Sequence, residues 1–195
     1  LSTVFILSIF LTTNGINAVF GGFEYSYHVV NTRGVVRQYF ISMGVAMLLV
    51  VLILFSVIFW LAFEYIRGMR IFEFFEGNPY FFPLVKKIFF IFITYLSVSI
   101  LFHFGSPQKG MRFFSAGSFL TLVLFILTTY GFGIYIENFA QYNQLYGSIG
   151  ALLIFLLYIW LNATILLLGF ELNASLMKLQ LSSKSEEQKV IDTNH

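Results

Sequence analysis

YGSIGALLIFLLYIWLNATILLLGFELNASL, from Tyr146 to Leu176, is the stretch whose reading decides the fold. No residue between Glu137 and Glu171 is charged. The apolar core from Ile149 to Phe170 has the length, about 20 residues, that a bilayer's hydrocarbon slab demands of an α-helix. Within it stand residues that lipid rejects. At about 100° per residue, Asn162 shares a face with Ala151, Tyr158, Gly169 and Asn173, so that face is expected to look at protein. Thr164 and Glu171 fall on nearly the opposite side. Polar or small residues on two sides predict a central helix with neighbours all round.

Composition agrees. The 195 residues are 58% hydrophobic and 10% charged, against about 25% charged in soluble domains. Four clear uncharged spans and a fifth cut by the chain start predict an all-α, polytopic transmembrane helix bundle. Spans that are apolar on every side and do not alternate argue against a β-barrel. The absence of cysteine removes disulfides, thiolate metal sites and cysteine nucleophiles. The net charge of +2 and the scattered basic residues do not form a nucleic-acid surface. The opening LSTVFILSIF has no basic n-region and no cleavage site, and the missing initiator Met suits a start inside a longer protein.

Taken in order, the first span covers 1–23 and carries Asn14 and Asn17 near one face, either as interhelical hydrogen-bonding groups or as an interfacial pair. A second span covers 38–63 and ends near Trp60, a residue favoured at membrane interfaces. Residues 64–87 mix charge with aromatic side chains and are broken by Pro79 and Pro83, which predicts an element lying on the membrane surface. A shorter third span, 88–104, stops at Gly105. Its His103 reads more simply as an interfacial residue than as a proton carrier. The fourth, 113–136, has small residues at both ends, with Gly117 at one and Gly131 and Gly133 at the other. The fifth is 147–175. Residues 1–177 form the membrane domain, and 178–195, rich in Ser, Lys, Glu and Gln, are expected to be a disordered tail.

Basic residues give an orientation. If the tail is cytoplasmic, that side holds Arg33, Arg37, Lys109, Arg112, Lys178, Lys184 and Lys189, seven of the 11, and the other side holds Arg67, Arg70, Lys86 and Lys87. The connection from Asn138 to Tyr146 has no Lys or Arg and lies outside in this arrangement.

The last hundred residues carry a family pattern. Gly117, GFGIY at 131–135, YNQLYG at 142–147 and LGFELNA at 168–174 follow one another with the spacing of the YihY/BrkB family of bacterial inner-membrane proteins, which the chain resembles. TNGINAV at 13–19, followed by an Arg-containing loop, is similar to that family's second span and its cytoplasmic exit. The loop at Gly105 to Pro107 departs from the pattern. The resemblance implies six spans with both ends cytoplasmic, of which this chain would supply the last five. It also implies a bacterial inner-membrane location. One member is called a virulence factor, and the family's former ribonuclease BN label is regarded as mistaken.

Three functions follow as expectations. Transport or lipid handling rests on the intramembrane polar set Asn14, Asn17, Tyr158, Asn162, Glu171 and Asn173, although Asn and Tyr also hold helices together. An envelope scaffold without transport rests on the small residues Gly117, Gly131, Gly133, Gly147, Ala151 and Gly169 as helix-packing positions. An enzyme, the ribonuclease of the old label, needs converging carboxylates or histidines. Here three His and nine acids are dispersed with no paired motif. The expectation is therefore a non-enzyme, with membrane lipids as partners, no nucleic acid, no cofactor and no metal.

Overall fold

The computed structural model describes residues 2–26, 33–67, 80–107, 111–139 and 143–193. Within these, side chains at 2, 67, 138–139, 143–148 and 184–193 are not described. Five helices follow in order: α1 (Ser2–Glu24), α2 (Val35–Arg67), α3 (Phe81–Gly105), α4 (Ala116–Phe139) and α5 (Asn143–Thr193). Each contains a stretch long and apolar enough to cross a membrane. A helix is the form that lets an apolar run satisfy its own backbone polar groups without water. The protein is all-α and polytopic, as its composition predicts. Large apolar side chains such as Leu152, Leu153, Phe155 and Trp160 stand exposed along α5, where a soluble protein would hide them.

Several boundaries differ from the sequence reading, among them those of α4, Ala116–Phe139 where 113–136 is expected, and the start of α5 at Asn143 where 147 is expected. α2 is longer at both ends, Val35–Arg67 where 38–63 is expected. α3 begins at Phe81 where the span is expected from Ile88, and so takes in the last part of the segment 64–87. The reason is Pro83. A proline in a helix's first turn loses no hydrogen bond that the helix would make, so it marks a start where it reads as a break. Tyr80 precedes that turn and its carbonyl accepts from the Leu84 N–H at 3.1 Å. Most of the expected surface element, 68–79, lies outside the described residues. The backbone is also helical as far as Thr193, where the tail 178–195 is expected to be disordered. Its polar composition argues against burial, not against helix, since Glu, Lys, Gln and Leu all have high helix propensity.

The chain divides into two compact units. One comprises residues 1–20 and 33–105. In it α2 and α3 meet through aromatic rings: Phe59 stacks on Phe89 with centroids 3.9 Å apart, and Phe63 meets Phe82 edge-on at 5.9 Å. Between these two contacts along α3, Lys86 Nζ lies 2.5 Å from Glu64 Oε2 and 4.3 Å from the Trp60 ring centroid. At the other end of α3, Arg33 Nη1 donates to the Phe104 carbonyl oxygen at 2.6 Å, a cation placed where a helix C-terminus favours one. α1 meets α2 through polar groups. Gln38 Nε2 donates to the Asn17 carbonyl oxygen at 3.4 Å, and the Ser42 hydroxyl, bonded to the Gln38 carbonyl at 2.9 Å, lies 3.4 Å from Asn17 Oδ1.

The other unit comprises residues 21–32 and 106–195. The end of α1 lies on α5, with the buried rings of Phe23 and Phe170 stacked at 4.1 Å and 5°. The Ser26 hydroxyl donates to Glu171 Oε2. A Cβ at Gly22 would come within 2.9 Å of Leu167 Cδ2. α4 runs against α5 along the face that carries Tyr158, Asn162, Gly169 and Asn173.

Candidate functional site

The start of α4 is built by its own sequence and by α5 together. Ser115 is the N-cap. Its carbonyl accepts the first helical bond from the Phe119 N–H at 3.2 Å and its hydroxyl accepts from the Ser118 N–H at 3.3 Å, the pattern that makes serine a favoured cap. A second cap comes from α5: Asn173 Oδ1 accepts from the Gly117 N–H at 2.7 Å, and Asn173 Nδ2 donates to Ser115 Oγ at 2.7 Å. Ser115 Oγ accepts from both Asn173 and the Ser118 amide, so its single proton goes to Ser118 Oγ, 2.8 Å away. The Thr121 hydroxyl returns to the Gly117 carbonyl at 2.9 Å.

This clasp requires glycine. A Cβ at Gly117 would overlap the Gly169 carbonyl oxygen and stand 2.6 Å from the Asn173 side chain. Gly117 and Gly169 are both buried, so two backbones meet where neither residue has a side chain, the close approach that small residues allow between membrane helices. Four turns before Asn173 the same face of α5 meets α4 differently. Tyr158 packs on Phe132 with centroids 4.9 Å apart and its hydroxyl lies 3.1 Å from Thr129 Oγ1. Asn162, half-buried, donates from Nδ2 to the Tyr158 carbonyl oxygen at 2.8 Å.

The structure therefore brings Gly117, Gly169 and Asn173 to one point and places Tyr158 and Asn162 on the same seam. It puts Glu171 with Ser26 and Asn17 with Gln38 and Ser42. It does not place Gly131 and Gly133 between helices: both are exposed, with nothing within 4 Å of where a Cβ would be. Phe132 is the residue that faces α5, and its two neighbours in sequence point about 100° to either side of it. Ala151 is exposed too, and so is Asn14. Gly147 lies in the part of α5 whose packing is not described. Sequence reasoning missed Ser115, Thr129 and Phe132. Ser115 was the legible one, since Ser115-Ala-Gly-Ser118 before an apolar run is a helix-start signal.

Beside the clasp lies a cleft of about 180 Å³. Arg112, Ser115, Asn173 and Gln180 give it polar walls, and Met111, Phe114, Leu176 and Met177 give it apolar ones. It stands where α4 begins, at the end of a span, with one charged side chain among apolar ones. Drug-sized ligands need roughly 300 Å³ or more, so this volume suits a small polar group attached to an apolar chain. Among the described residues no group of three His, Asp or Glu is placed to hold a metal ion.

Apolar outward faces and polar, small-residue seams within describe a polytopic helical membrane protein. Residues 1–191 match the family described as Virulence factor BrkB, and the chain belongs to that family. It is similar to a UPF0761 membrane protein of Kangiella koreensis, 34% identical over 87 residues, which cover 44% of this chain and 22% of the relative. It is similar to a UPF0761 membrane protein of Vibrio atlanticus, 34% identical over 107 residues, 54% of this chain and 32% of the relative. The ribonuclease-like protein YfkH of Bacillus subtilis is 25% identical over 188 residues, 91% of this chain and 66% of the relative. The chain thus spans less than two thirds of the length of each of these relatives. No solved structure matches it.

Proposed function

We propose that this protein is a lipid-handling component of the bacterial inner membrane, and that the cleft beside Arg112 takes the polar head of a membrane lipid. The observation that carries the reading is the cleft's mixed lining, Arg112 and Gln180 on one side and Phe114, Leu176 and Met177 on the other. An amphipathic ligand matches both, and basic pockets at span ends favour anionic headgroups. Passage of a solute along the α4–α5 seam has less support. Asn173 and Tyr158 make hydrogen bonds to α4, as polar groups that hold helices together do, and Asn162 bonds to its own helix.

Co-purification tests the proposal. The full-length protein extracted in mild detergent is expected to retain anionic phospholipid, and Arg112→Ala to lose it while Arg112→Lys keeps part. Equal lipid content in wild type and Arg112→Ala removes the reading. Flux of an ion or solute in liposomes would replace it with transport.

A scaffold without transport is the second reading, favoured by the Gly117–Gly169 contact, which fixes helices and needs no ligand. We read the protein as a non-enzyme. The ribonuclease-like name belongs to YfkH, and among the described residues of this chain no three His, Asp or Glu converge. Nucleic acid is not a proposed partner, and membrane lipids are. The basic-residue bias supports a cytoplasmic C-terminus. In this cysteine-free chain, Gln144→Cys is expected to react with an impermeant reagent in intact cells and Ser185→Cys to be protected. The reverse pattern inverts the topology.

A further inference from the structure

Gly117 leaves the Asn173 amide one orientation. A backbone N–H can only donate, so the atom 2.7 Å from the Gly117 nitrogen is the carboxamide oxygen, and the atom 2.7 Å from Ser115 Oγ is then the nitrogen. A carboxamide nitrogen carries two hydrogens. One goes to Ser115 Oγ, and the other has no partner among the described residues. Asn173 is 5% exposed and borders the cleft beside Arg112. A buried donor left over at the edge of a cleft calls for an acceptor.

The clasp also sets which kinds of polar atom the cleft offers. Ser115 Oγ accepts from Asn173 and from the Ser118 N–H and gives its own proton to Ser118, while Asn173 Oδ1 accepts from Gly117. Those oxygens are taken by the helix cap. What remains is weighted towards donors: the second Asn173 N–H, the Arg112 guanidinium and the Gln180 amide, which can also accept. Arg112 stands on the approach to α4 and Asn173 on α5. Donors on two elements suit a group that holds two acceptor oxygens on one atom with a negative charge shared between them, as a phosphodiester does. An ammonium headgroup brings further donors and finds the clasp oxygens occupied.

Resting on the lipid reading above, we infer that Asn173 is a specificity-determining residue of the headgroup site. Arg112 holds one non-bridging oxygen of a lipid phosphodiester, and the second Asn173 Nδ2 hydrogen donates to the other. The cap of α4 and the headgroup site are then one hydrogen-bonded unit, and the residue that joins two helices also selects the lipid.

Lipid selectivity tests this in the full-length protein, extracted in mild detergent from a membrane that contains phosphatidylglycerol and phosphatidylethanolamine. Mass spectrometry of the retained lipid is expected to show phosphatidylglycerol enriched over phosphatidylethanolamine. Asn173→Asp keeps an acceptor for the Gly117 N–H and sets a negative charge at a helix N-terminus, which favours the fold, but it replaces the donor by an oxygen. The enrichment is expected to fall several-fold. Tyr158→Phe loses the hydroxyl contact with Thr129, away from the cleft, and is expected to keep the enrichment. An unchanged enrichment in Asn173→Asp, with Arg112→Ala still losing it, overturns the inference and leaves the lipid reading standing. An equal fall in Tyr158→Phe ties the effect to packing and overturns the inference too, and a wild type without enrichment overturns both. A structure of the wild type with short-chain phosphatidylglycerol decides without any variant: a phosphate oxygen about 3 Å from Asn173 Nδ2 is expected, and its absence ends the proposal. Inorganic phosphate that raises the unfolding midpoint as much as short-chain phosphatidylglycerol at the same concentration assigns the site to a free anion and removes the lipid as its source.

Discussion

The α2–α3 contact and the α4–α5 contact solve the same problem with different chemistry. In α2–α3 the helices meet through Phe59, Phe63, Phe82 and Phe89, and a charged contact, Lys86 to Glu64, lies beside Trp60. In α4–α5 the meeting point is Gly117 on Gly169, closed by the Asn173 amide. Lipid gives no hydrophobic reason for two apolar helices to pair, so contact must come from dispersion over large surfaces or from close backbone approach with hydrogen bonds. Rings distribute the first kind over many atoms and tolerate change. The glycine clasp concentrates the second kind at one crossing and does not.

That difference ranks the mutational effects. Gly117→Val is expected to be the most damaging change, since branched carbons must enter space held by the Gly169 carbonyl and Asn173. Overpacking costs about 1–3 kcal/mol and the lost amide bonds add to it. Thermal unfolding in detergent should show a large fall in midpoint, and a wild-type midpoint would refute the clasp. Asn173→Ala follows. It leaves the Gly117 N–H buried without its partner, at about 1–3 kcal/mol, and Asn173→Asp, which keeps an acceptor for that N–H, should recover part of the loss. Phe59→Leu in the aromatic contact should cost less, about 0.5–1.5 kcal/mol, because the stacking is lost while apolar bulk remains.

The smallest effects are expected where side chains are half-exposed or bonded within one helix. Lys86→Met removes an ion pair whose partners are 21% and 43% exposed, and such pairs contribute about 0–1 kcal/mol. Its effect should shrink further as salt is raised. Asn162→Leu loses only an intrahelical bond to Tyr158 and is expected to change stability by about 1 kcal/mol or less. A loss as large as that of Gly117→Val at either position would mean that the two contacts do not differ as described.

Read without coordinates, the chain determined its class. Uncharged runs of about 20 residues leave the helix as the form that satisfies the backbone in lipid, and helical spacing put Ala151, Tyr158, Asn162, Gly169 and Asn173 on one face of α5, of which Tyr158, Gly169 and Asn173 touch α4 while Ala151 is exposed. Periodicity places residues on a face but says nothing of what stands opposite. Only the tertiary structure decided that Gly117 closes on Gly169 while Gly131 and Gly133 look outward, that Asn173 caps another helix while Asn162 bonds to its own, and that Asn14 makes no hydrogen bond among the described residues. Those three asparagines are the same residue type in similarly apolar surroundings. Their roles differ because a hydrogen bond depends on atoms within about 3 Å, and which atoms those are is set by how helices far apart in the chain come together.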